Sequence, residues 1–189
     1  MDAGCAINLL ACGAAEEILE ALPYDFAVSS LVLEREVLHL GGEGAEADGE
    51  EPAKESDPGV SGGATHAVPL QPLADGGFLR VLELESEGEN ATFVLLACEL
   101  DDGEAETAAM AMHREGAVAT DDRKAIRVLG RRASAVSIRR TSGLIREWAE
   151  KESVPAERVK RVLEAVQRLA SFVPPGDDPD RDWWRRTVG

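Results

Sequence analysis

The stretch Asp101–Lys124, DDGEAETAAMAMHREGAVATDDRK, limits the possible folds more than any other part of the chain. It reads as a carboxylate-rich helix start, a short helix, a glycine stop, a short strand and two further carboxylates. Asp101 or Asp102 suits the helix N-cap. Glu104 then stands in the first turn, where the helix dipole favours an acid. Ala105, Ala108, Ala109 and Met112 recur at helical spacing and mark a buried stripe. Gly116 suits a left-handed stop after the last turn. Ala117 to Thr120 is short and apolar, as an interior strand is. The helix leaves the acidic start and the strand returns to it. Asp121 and Asp122 are therefore expected on the edge where Glu104 stands.

The rest of the chain alternates in the same way. Asp2 precedes an apolar run that ends at Gly13, the pattern of a capped first helix. A second helix is expected over Ala14 to Leu22 and a strand over Tyr24 to Val28. Ser29 or Ser30 then caps a helix through Leu40, in which Glu36 stands among apolar neighbours. Phe78 to Leu84 and Ala133 to Ile138 read as strands. Ser86 and Glu89 form a capping box. Thr141 or Ser142 starts a helix through Trp148, and Ser153 and Pro155 start a longer one with Val159, Val162, Leu163 and Val166 inward. Strands alternating with helices point to an α/β fold with a mostly parallel sheet. One domain is expected over residues 1–172, interrupted by an acidic, low-complexity insert over 43–67 that holds too little apolar surface to order itself. Residues 173–189 form a C-terminal tail carrying Trp183 and Trp184.

Charge is segregated along the chain. Residues 1–122 hold 27 acids against 4 bases, and residues 123–189 hold 9 acids against 16 bases. Arg123 to Arg146 contains eight bases and no acid. This pattern has two readings: a basic half that balances an acidic half, or a basic rim that brings a polyanion to an acidic pocket. No apolar run approaches the roughly 20 residues of a membrane span. A secretory signal is not recognisable at the start. Cys5, Cys12 and Cys98 share no metal-binding spacing, so thiols in a reducing cytoplasm are expected.

Asp2, Glu36, Glu104 and Asp122 all fall at helix starts or strand ends consistent with one sheet edge, where open parallel sheets place their sites. Carboxylates gathered at short range need a cation to stay ionised together. Oxygen donors without His or Cys select Mg2+ or Mn2+. Such a site supports metal-assisted attack of water on a phosphodiester.

Four stretches carry a family resemblance: DAGCAINLLACG from Asp2, SSLVLEREVL from Ser29, LDDGEAETAAMA from Leu100 and ATDDRKA from Ala119. Together they resemble the four acidic motifs of PIN-domain proteins, closest to a branch near the bacterial VapC-type toxins. The resemblance implies a three-layer α/β/α sandwich and a Mg2+- or Mn2+-dependent endoribonuclease site. It implies Asp2, Glu36, Glu104 and Asp122 as catalytic and metal-binding acids, with Asp121 as a further metal-site acid. Arg123, Lys124, Arg127, Arg131 and Arg132 of the basic run are the candidate RNA-binding residues. Implied partners are an RNA substrate, an antitoxin protein and a second copy of the chain, with no membrane. The second reading is a PIN-like module that binds without cleaving. Trp183 and Trp184 are expected to dock on their own domain, with stacking on RNA bases as the other use.

Overall fold

The computed structural model describes residues 1–35, 39–42, 64–67 and 69–189. In chain order the elements are α1 (Ala3–Ala11), α2 (Ala15–Ala21), β1 (Ala27–Ser29), α3 (Ser30–Arg35), β2 (His39–Gly42), β3 (Ala64–Ala67), α4 (Gln71–Asp75) and β4 (Arg80–Leu82). Then come α5 (Glu87–Ala97), α6 (Asp102–His113), β5 (Ala117–Ala119), α7 (Arg123–Arg132), β6 (Ser137–Arg139), α8 (Thr141–Lys151), α9 (Ala156–Leu169) and α10 (Arg181–Val188). The fold is mixed α/β. Among the described residues its strands form three two-stranded sheets rather than one continuous sheet: β1 with β4 and β5 with β6, both parallel, and β2 with β3, antiparallel.

Local chemistry explains most of the boundaries. The Ser86 side chain accepts from the Glu89 N–H and Glu89 reaches back, a complete capping box at the start of α5. Asp101 and Glu104 do the same for α6. Ser29 accepts from the Val32 N–H at 3.2 Å and starts α3. The left-handed stop after α6 falls on Glu115 (φ 52°) and not on Gly116. The Gly116 N–H then donates to the Ala111 carbonyl at 3.0 Å, closing the last turn. The helix expected through Leu40 is described over Ser30–Arg35, and His39 and Leu40 belong to a strand instead. Gly41 and Gly42 are poor helix formers, and the backbone of His39–Gly42 pairs instead with Ala64–Ala67. The end of the expected insert is thus a strand, while Glu36 lies outside the described residues.

Two cores flank the parallel pairs. One gathers Leu9, Ile18, Val28, Leu144, Trp148 and Leu163 from α1, α2, β1, α8 and α9. The other gathers Leu96, Ala105, Ala109, Val128 and Leu129 from α5, α6 and α7. β5 lies between them, with Val118 in the second core and Ala119 in the first, as strand alternation requires. Each fully buried Leu or Ile stabilises the fold by about 1.5–3 kcal/mol. Cys98 is exposed, whereas Cys5 and Cys12 are buried.

The C-terminal segment is not a free tail. Ser142 donates to the Asp178 carboxylate at 2.9 Å, and Arg146 pairs with Asp180 at 2.8 Å. Trp184 is wholly buried in the first core, edge-on to Phe172 with ring centroids 5.7 Å apart. No helix among the described residues is long and apolar enough to cross a membrane.

Candidate functional site

Carboxylates from three separate parts of the chain line one cleft of about 380 Å3. Asp2, Asn8, Asp101, Glu104, Asp121 and Asp122 face it, and the loop Ala170–Phe172 forms its far wall. The sequence places these acids at helix starts, and the strand β5 gathers the starts together.

Asp2 is pinned by its backbone. Its N–H donates to the Ala119 carbonyl at 3.0 Å, which sets the first helix against the end of β5. Its Oδ1 accepts from the Cys5 N–H at 2.7 Å and caps α1. Burial pushes the Asp2 carboxyl up to about 6, against hydrogen bonds from Thr120 and Cys5 that favour its charge.

Glu104 has the same history on the other side. Its N–H donates to Asp101 Oδ1 at 2.8 Å, which holds it in the first turn of α6. Burial, followed by the charges of Asp101, Asp122 and Asp2, pushes its carboxyl up to about 7. Asp122 caps α7 with one oxygen only: Oδ1 accepts from the Lys124 and Ala125 N–H groups, each at 2.7 Å.

Asp121 does a different job from its neighbour. Oδ1 accepts from the Thr141 N–H at 3.1 Å, and Oδ2 accepts from Asn8 Nδ2 at 2.9 Å and from the Thr141 hydroxyl. It therefore caps α8 from twenty residues away, where the sequence suggested Thr141 or Ser142. Both its oxygens are occupied by α1 and α8, so it braces the cleft wall. Burial raises its pKa despite these bonds. Asp121→Ala strands the buried Asn8 and Thr141 donors and is expected to cost about 2–4 kcal/mol in urea unfolding. Asp121→Asn, which keeps an acceptor, is expected to cost less than half of that.

The donor set is all oxygen. Among the described residues no Lys or Arg lies within ion-pair distance of Asp2, Asp101, Glu104, Asp121 or Asp122; the arginines with acid partners face Glu89, Glu99, Asp177, Asp180 and others elsewhere. A cluster of acids whose repulsion is relieved by protonation suits a hard divalent cation. As the side chains stand, however, no group of three His, Cys, Asp or Glu among the described residues is arranged to grip one.

Of the basic residues, Arg123, Lys124 and Arg127 are exposed on α7, which begins at the cleft. Arg131 and Arg132, at its far end, pair with Glu99 and are turned to another surface. Two features escaped the sequence reading. Glu106 is buried and accepts from the Leu31 N–H at 3.3 Å, tying α6 to the start of α3. Its place two residues after Glu104 turns it away from the cleft. The wall Ala170–Phe172, with Ser171 at φ 52°, comes from the end of α9 and carries no sequence signal of its own.

Compared with protein-family profiles, with curated proteins and with solved structures, the chain matches none.

Proposed function

We propose that the chain is a Mg2+- or Mn2+-dependent endoribonuclease of PIN type, built on a three-layer α/β/α plan. One observation carries this reading: acids from the starts of α1, α6 and α7 line a single cleft, with Glu104 pushed up to about 7 by burial and by its acidic neighbours. The four-motif likeness of the sequence supports it.

In this proposal Asp2, Glu104 and Asp122 hold the cation. A bound divalent ion lowers the pKa of water and stabilises the leaving oxygen of a phosphodiester. Asp121 orients Asn8 and α8 so that Asp2 keeps its place. Arg123, Lys124 and Arg127 draw the RNA backbone toward the cleft. On the same likeness, an antitoxin protein or a second copy of the chain is a proposed partner. One observation favours the second reading, a module that binds without cleaving: among the described residues no three acids converge on one point.

The test is cleavage of labelled single-stranded RNA with Mn2+ or with chelator. Asp122→Asn is the informative variant, because Asn still caps α7 while losing the charge. Groups that merely orient metal ligands are worth about 10- to 100-fold, so loss of a ligand is expected to cost about 100-fold or more. Cleavage that persists in Asp122→Asn overturns the assignment.

Stability gives a second, independent readout. Asp2 and Glu104 hold protons more tightly in the fold than their ordinary values of 3.8 and 4.5 allow. The fold therefore gains most while they are protonated, at the acid end, and loses that gain as pH rises through about 6 to 7. A cation that replaces the lost protons acts at pH 8 and has little to act on at pH 5. Mn2+ at a hundredfold excess over its Kd is expected to raise the thermal midpoint by about 5–10 °C at pH 8. The rise at pH 5 should be under a third of that. Equal shifts at both pH values would remove the cleft as the binding place.

A further inference from the structure

A second cavity has no part in this chemistry. Among the described residues β1 and β5 each pair along one edge only, β1 with β4 and β5 with β6. Their other edges face a slot of about 450 Å3, lined by Ala27 on one side and Ala117 on the other. Thr107 and Met110 of α6 and Leu144 of α8 also line it. The Thr107 hydroxyl is buried there with no hydrogen-bond partner among the described residues.

Met1 stands at one end of the slot. Its amino nitrogen donates to the Ala27 carbonyl at 2.6 Å, toward β1. The next N–H, that of Asp2, donates to the Ala119 carbonyl at 3.0 Å, toward β5. Successive donors pointing to opposite sides are the mark of an extended strand lying between two neighbours. The slot runs back from Met1 beside Tyr24, Asp25 and Phe26 and beside Gly116 and Ala117, which precede Ala27 and Ala119 along the chain. A chain entering Met1 along the slot would thus run parallel to both edges.

We propose that the slot seats an extended apolar strand of about four residues, parallel to β1 and β5, joined to Met1 by a peptide bond. The two-core packing calls for apolar side chains on both of its faces, the composition of a parallel strand covered by helices. Its backbone would meet the edges of β1 and β5 that pair with no strand among the described residues, with Ala27 half-buried and Ala117 exposed at the slot's rim. It would also turn the Met1 ammonium, a charge held inside the protein, into an amide that keeps the bond to Ala27. The order β4, β1, new strand, β5, β6 would make one continuous parallel sheet. The proposal rests on the slot and its rims, and stands whether or not the acidic cleft binds metal.

The test compares the full chain carrying Val-Ile-Val-Val ahead of Met1 with the same chain carrying Gly-Ser-Gly-Ser there, each behind a common leader. The apolar extension is expected to raise the thermal midpoint by about 5 °C or more over the Gly-Ser extension. It is also expected to slow amide exchange at Ala27 and Ala117 by roughly tenfold or more. Equal midpoints with unchanged exchange at those two residues would overturn the proposal. So would equal protection from the free peptide Val-Ile-Val-Val, which would assign the slot to a strand supplied by another molecule. Protection that appears only with dimer formation would assign it to a second copy and overturn the proposal in the same way.

Discussion

Glu104→Gln is expected to lose Mn2+-dependent RNA cleavage by about 100-fold or more, and at the same time to melt a few degrees higher than the parent at pH 8 without metal. The two effects share one cause. Glu104 is half-buried beside Asp101, Asp122 and Asp2, and its charge is disfavoured enough to push its pKa to about 7. At pH 8 the parent carries that charge and its repulsion; the amide does not. After allowing for the half-exposed carboxyl, relief amounts to about 1–2 kcal/mol. Gln keeps the reach needed to accept from the Asp101 N–H, so the capping box survives. At pH 5 the parent is already protonated and the two midpoints should draw together. A variant that is inactive because it is misfolded would melt lower at both pH values, which separates damage from chemistry.

Trp184→Ala is the second large effect, expected at about 3–5 kcal/mol of stability. The indole is wholly buried in the first core and packs edge-on against Phe172. Its Nε1–H has no hydrogen-bond partner among the described residues, so part of the loss is offset by removing a buried, unsatisfied donor. Trp184→Phe should therefore cost less than half as much. Trp183 is only partly buried, and Trp183→Ala is expected to cost under about 1.5 kcal/mol. Because Phe172 also walls the acidic cleft, Trp184→Ala should weaken Mn2+ binding as well. Urea unfolding and a Mn2+ titration of the same four proteins measure both. If Trp183→Ala instead proves the more damaging for RNA binding with stability unchanged, the stacking use of the tail gains ground.

The acids of the cleft were legible in the sequence because each is a helix-start residue. Asp2, Asp101 with Glu104, and Asp122 all cap or begin helices, and caps are read from a few adjacent residues. That they share one cleft followed from the direction of a single helix and the strand after it. The division of labour between Asp121 and Asp122 was not legible. It depends on Thr141 and Asn8, which reach Asp121 only through the tertiary fold. The helix through Leu40 was over-read for a similar reason. Its local pattern is helical, and only the distant Ala64–Ala67 offers the competing strand partner. Docking of Trp184 was expected, but the anchors of its segment, Ser142 and Arg146, lie far away in sequence and were not legible. Local chemistry named the residues; long-range pairing decided what each of them does.

Crystals soaked in Mn2+ at pH 8 and measured above the manganese absorption edge put the central proposal to its plainest test. An anomalous peak in the cleft bounded by Asp2, Glu104 and Asp122, absent from Asp122→Asn crystals, is the expected result. Manganese bound only elsewhere, or the same peak undiminished in Asp122→Asn, would contradict it.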